Sequence, residues 1–198
     1  RLSIWATLLI AGLGVLFGLL SGSLAILFDG LFSLVDAAIT WLMLVVARLV
    51  AQEADAKFQY GYWHLEPLVV ALKAAVLMTL VVFGFLVALQ SLQAGGHTPD
   101  LGPALFYAVV VVFICAGTWF WMWRQNKRLD SALIAVDMKA WAASGAITSA
   151  LLLAFAAAAA MKGTQFEHLR PLVDPAILAI LSLAILPVPW KDAKLAFR

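Results

Sequence analysis

The chain of 198 residues is 65% hydrophobic and 12% charged, with a mean hydropathy of +1.01 and a net charge of +2. Soluble domains average about 45–50% apolar and about 25% charged residues, so a water-soluble globule is excluded; no concentrated basic face is present, which sets nucleic-acid binding aside. At about 20 apolar residues per membrane-spanning helix, the length allows about six to eight spans and leaves no sizeable soluble domain.

Six apolar runs follow in chain order, 4–21, 24–48, 67–90, 104–123, 132–160 and 174–188, within a single transmembrane domain. A helix is expected in each, because a helix satisfies its own backbone in lipid and the alternation of a lipid-facing barrel is missing. The first run has no polar cleavage region after it, so a cleaved signal peptide is not expected. It carries Gly14, Gly18 and Gly22 at a spacing of four, a small-residue face for close helix approach.

The second run holds Asp29 and Asp36, the third Lys73, and the fifth Asp137 and Lys139. Each of these charges costs about 2.5–3.5 kcal/mol at the bilayer centre on insertion scales, so five of them together point to function or to pairing. The fourth run holds the single cysteine, Cys115, which reads as a buried small hydrophobe and excludes an internal disulfide. It ends in Trp119, Trp121 and Trp123 before Arg124, an aromatic belt at the inner interface. With the amino terminus inside, Arg1, Arg48, Lys57, Arg124, Lys127, Arg128, Lys191, Lys194 and Arg198 lie on the inner side and only Lys162 and Arg170 outside. The positive-inside rule then places both termini in the cytoplasm.

Sliding the chain by 108 residues aligns 25–40 with 133–148, so that Asp29 falls on Asp137, Asp36 on Ser144, and Ala38-Ile39-Thr40 on Ala146-Ile147-Thr148. The match joins the second and fifth runs, which predicts a 3+3 inverted repeat with a substrate site near the midplane. Asp36 and Ser144 each lie 12 residues into their runs, about 18 Å along a helix and near the middle of the hydrocarbon layer. Asp29 and Asp137 then lie about 10 Å away toward opposite faces. Lys73 and Asp137, six and five residues into their runs, are at matching depth near the inner face and are expected to pair. Asp29 reads as a carboxylate reached by water near the outer end. No basic residue is expected at the depth of Asp36, so a cation or proton site is favoured there over a protonated, hydrogen-bonded carboxyl.

Asp29-Gly30-Leu31-Phe32-Ser33-Leu34-Val35-Asp36, Tyr60-Gly61-Tyr62-Trp63-His64-Leu65-Glu66, Ile134-Ala135-Val136-Asp137 and Val173-Asp174-Pro175 occur in order on this six-span plan. In these motifs the chain resembles the transmembrane domain of the cation diffusion facilitator family, from about residue 4 to 192. The resemblance implies a metal-ion/proton antiporter, usually dimeric, with two ligands four residues apart on the second span and two on the fifth. Those positions here read Phe32, Asp36, Ala140 and Ser144. Phe32 and Ala140 offer no donor and a neutral serine hydroxyl is a poor zinc ligand, so tight zinc binding at the usual place is not expected. In the inner loop, where metal-binding members carry Asp and His ligands, the chain has Asp55, Phe58 and Tyr62, with His64 and Glu66 retained. The family's cytoplasmic carboxy-terminal domain is missing from the sequence.

The expected function is therefore secondary transport of a cation in exchange for protons across a bacterial inner membrane. Asp36, Ser144, Asp29 and Asp137 are its candidate site, Lys73 and Lys139 serve in charge pairing or coupling, and no tightly bound cofactor is expected. The expected cargo is a hard or weakly bound cation, a divalent metal or another, with Asp36 as a weak metal ligand, or an organic cation beside the rings of Phe32 and Trp141. The alternative is a transport-inactive membrane scaffold or regulatory relative of the same family. No HExxH, GxSxG or serine–lysine dyad is present, so an enzyme is not expected.

Overall fold

A computed structural model describes residues 2–50, 65–129, 132–187 and 189–190. Its elements are the helices α1 (Leu2–Ser21), α2 (Leu24–Val50), α3 (Leu65–Gln93), α4 (Leu101–Leu129), α5 (Ala132–Ala160) and α6 (Arg170–Ile185), with a 3-10 turn at Glu167–Leu169 before the last. Each apolar run is thus a helix, and the described residues contain no strand. Among the described residues, five stretches are long and apolar enough to cross a membrane: Leu24–Val46, Leu68–Gln93, Leu101–Lys127, Asp137–Ala160 and Glu167–Ile185. The apolar stretch of α1, Trp5–Ser21, is shorter. Trp5, Phe113 and Leu153 are more than 70% exposed, as suits helices that meet lipid rather than water on their outer faces.

Helix ends exceed the apolar runs where polar residues continue the helix. α4 runs past Trp123 because its basic side chains fold back on aromatic rings, Lys127 Nζ lying 3.8 Å from the Trp123 ring centre and Arg124 5.4 Å from that of Phe120. α6 begins four residues before the run, with Pro171 in its first turn, where a missing N–H costs no hydrogen bond.

α1 and α2 form a tight hairpin. A Cβ on Gly14 would stand 2.6 Å from Gly30 Cα, and one on Gly18 2.6 Å from Leu27 Cα, so the two backbones touch. The expected glycine face stops there: Gly22 lies beyond the end of α1 at φ +67°, where it makes the turn into α2. Around the hairpin, α2 also packs on α3, α4 on α1 and α5, and α6 on α2, α3 and α5. Ile10, Ile26, Tyr107, Val111, Phe155 and Leu178 are buried in the shared core.

The start of α2 is fastened by a residue from the far end of the chain. Asp174 is fully buried and accepts hydrogen bonds from Ser23 Oγ (2.5 Å), the Leu24 N–H (2.8 Å) and the Ala25 N–H (3.4 Å). Ser23 Oγ in turn accepts from the Ile26 N–H at 3.2 Å. Together they satisfy donors that a helix leaves open at its amino end, where the helix dipole also favours negative charge.

Candidate functional site

Asp29, Phe32, Ser33 and Asp36 share one face of α2, since residues three, four and seven apart on a helix stack above one another. That face meets Asp137, Ala140, Trp141, Ser144 and Ile147 of α5 across a cavity of about 350 Å³, bounded also by Thr7 and Ile10 of α1 and Ile185 of α6. All four positions that the resemblance marks, Phe32, Asp36, Ala140 and Ser144, therefore line one space. A second cavity of about 30 Å³ lies between α2, α3 and α6, with Phe28, Leu80 and Ser182 among its walls, and is large enough for ordered water. Asp29, Phe32 and Ile185 line both spaces and stand between them.

The carboxylates are held differently. Asp36 Oδ1 is 2.8 Å from Lys73 Nζ, with the two side chains 39% and 20% exposed. This corrects two expectations: Lys73 does not pair with Asp137, and Asp36 does have a basic neighbour. The physical reason is that α3 packs against α2 and α6, whereas α5 packs against α4 and α6. The four-carbon stem of a lysine also shifts its charge along the helix, which counting residues from a span end ignores.

Asp29 is partly buried and accepts a hydrogen bond at 3.0 Å from the hydroxyl of Tyr107 on α4. Asp137 is partly buried on the cavity wall and makes no ion pair among the described residues. Lys139 is exposed and is not part of that wall. Ser144 Oγ is 3.9 Å from Sγ of Cys115, which is buried as expected. Among the described residues no three of His, Cys, Asp or Glu gather closely enough to hold one metal ion. Residues 51–64, with Asp55, Lys57, Phe58, Tyr62 and His64, lie outside the described residues, as do Arg1, Lys191, Lys194, Arg198 and the side chain of Glu66.

Two partners were missed in the sequence. Tyr107 sits in an otherwise apolar stretch, and its hydroxyl was the available signal, because a buried tyrosine needs a polar partner. Asp174 was visible as a motif residue, but its role as a cap for a helix 150 positions earlier was not.

Compared with protein families, the chain matches the cation efflux transmembrane domain over residues 1–198. It is 26% identical to the zinc transporter ZitB of Pectobacterium atrosepticum, a match covering 94% of this chain and 55% of that protein. It is 29% identical to the uncharacterized transporter YdbO of Bacillus subtilis, over 97% of this chain and 64% of that protein. The chain thus spans between half and two thirds of the length of these relatives. With its whole length matched by that domain, and with the equivalent positions of α2 and α5 facing one cavity, the chain belongs to the cation efflux family, the cation diffusion facilitators.

Proposed function

We propose that this membrane domain carries out secondary transport of a cation in exchange for protons, as a homodimer in a bacterial inner membrane with both termini in the cytoplasm. The observation that carries the reading is the cavity between α2 and α5, where a carboxylate at mid-helix, Asp36, faces Ser144 inside helices apolar enough to span a bilayer. The inverted repeat is supported by the same cavity, since Asp29 with Asp137 and Asp36 with Ser144, the residues that a shift of 108 superposes, line it together.

The Asp36–Lys73 pair gives this cycle a resting state. The ammonium neutralises the carboxylate while no cargo is bound, and a cation entering the cavity competes with it for the same oxygen. A proton on Asp36 also releases Lys73 and removes the charge that holds the cargo, so proton and cation exclude each other. Zinc is a poor candidate for tight binding at this place, because Phe32 and Ala140 supply no ligand. ZitB, named as a zinc transporter, therefore indicates the mode of action more than the cargo.

A transport-inactive scaffold is the second reading, and the same ion pair favours it, since an internal cation already satisfies the one carboxylate left at the family's ligand positions. Asp36→Asn separates the two, because the amide keeps the shape and loses the titrating charge. In proteoliposomes under an imposed pH gradient, the transporter reading expects cation-dependent proton flux from the wild type and none from Asp36→Asn. Wild-type vesicles with no flux for any cation of a broad panel would establish the scaffold instead.

A further inference from the structure

Resting on the transport reading, we infer that the cargo of the α2–α5 cavity is an organic cation with an apolar body rather than a bare metal ion. A metal site is a point where donors converge to about 2.0–2.2 Å for oxygen and nitrogen ligands, leaving no void among them. The described residues offer no such convergence. What they line is a partly open space of about 350 Å³, within the range of about 300–1,000 Å³ typical of small-molecule pockets.

The walls agree with the volume. Ile10, Ile147, Ile185 and Ala140 are aliphatic, and Phe32 and the buried Trp141 bring aromatic rings to opposite helices of the same space. An aromatic face attracts a cation that is not tightly hydrated, and does so more strongly where water is excluded. A small hydrated metal ion gains little from such a surface, whereas an alkylammonium ion gains both the ring faces and the burial of its own carbon.

The charges on the walls favour a cation. Asp36 is paired with Lys73, whereas Asp29, hydrogen-bonded by the neutral Tyr107 hydroxyl, and Asp137 line the same cavity with no ion pair among the described residues. A positive charge entering beside them meets carboxylates that no ammonium in the cavity already holds. The apolar body then lies between the two rings.

The test uses the purified chain in detergent, with tetramethyl- to tetrabutylammonium chlorides and with Zn²⁺ and Mn²⁺, read by calorimetric titration and by thermal stabilisation. Affinity should rise along the alkyl series until the ion outgrows the cavity. Trp141→Leu and Phe32→Leu should each weaken binding about tenfold or more through loss of a ring face. Ala140→Trp, which adds bulk to the cavity wall, should abolish it, and it keeps the test informative should Trp141→Leu fail to fold. Equal binding by the wild type and Ala140→Trp would place the ions in the detergent and overturn the inference. Proteoliposome flux distinguishes the two levels of argument. Exchange of metal ions but of no alkylammonium ion overturns the organic cargo and leaves the transporter standing, whereas exchange of neither class overturns both.

Discussion

At the scale of single residues, the Asp36–Lys73 contact couples two charges whose separate removal has unequal meaning. Lys73→Met strands a carboxylate inside the helix bundle, whereas Lys73→Met combined with Asp36→Asn leaves no charge unpaired. The single change should lower the thermal stability of the detergent-solubilised protein, and the double change should recover most of the loss. The pair is partly exposed, so the coupling should be on the order of 1 kcal/mol, between the ~0.6 kcal/mol average of hydrogen bonds joining membrane helices and the cost of a fully stranded charge. Lys73→Met with Asp137→Asn should recover nothing, and recovery there would return the pairing to Asp137. The sequence made the acidic residues legible as site candidates because a charge in an apolar run is conspicuous. Their partners were not legible, because residue counting gives depth along a helix axis but neither the rotation of the helix nor the reach of a lysine stem.

At the scale of elements, the α1–α2 hairpin depends on three glycines, Gly14, Gly18 and Gly30, that leave no space between the backbones. A Cβ on Gly30 would stand 2.5 Å from the Val15 backbone nitrogen, while one on Gly12 of the same hairpin meets nothing within 4 Å. Gly30→Ala should therefore destabilise by about 1–3 kcal/mol through overpacking. Gly12→Ala should be neutral or slightly stabilising, since alanine favours the helix. Comparing the two melting temperatures in one detergent checks both, and equal values would mean that the hairpin is looser than described. The spacing of the glycines announced a close approach, and the apolar runs announced the helices. The sequence could not show that Gly22 leaves the helix face for a turn, since Gly14, Gly18 and Gly22 keep the same interval. Nor did it reveal Asp174 as the cap of α2, a contact that exists only once the sixth helix is folded against the second.

At the scale of the whole molecule, the proposed orientation is open to labelling because the one native thiol, Cys115, is buried. With both termini inside, Gln165→Cys, in the exposed connection between α5 and α6, should react with a membrane-impermeant maleimide on intact cells. Lys127→Cys, at the exposed end of α4, should react only after permeabilisation. The reverse pattern would invert the molecule in its membrane. The end that carries Gln165 is also where the connections are fastened to one another. Asp174 clasps the start of α2, the His97 N–H donates to the Pro171 carbonyl at 2.9 Å, and the Asp100 N–H to that of Ser21 at 2.8 Å. Gly96 lies so close to Pro171 that no side chain fits between them. In the proposed transport cycle these bonds would make that end a fulcrum and the helices leaving it levers. Asp36 stands 12 residues along its lever, about 18 Å from the pivot, so a swing of only about 10° displaces its carboxylate by about 3 Å, as much as the length of the bond that ties it to Lys73.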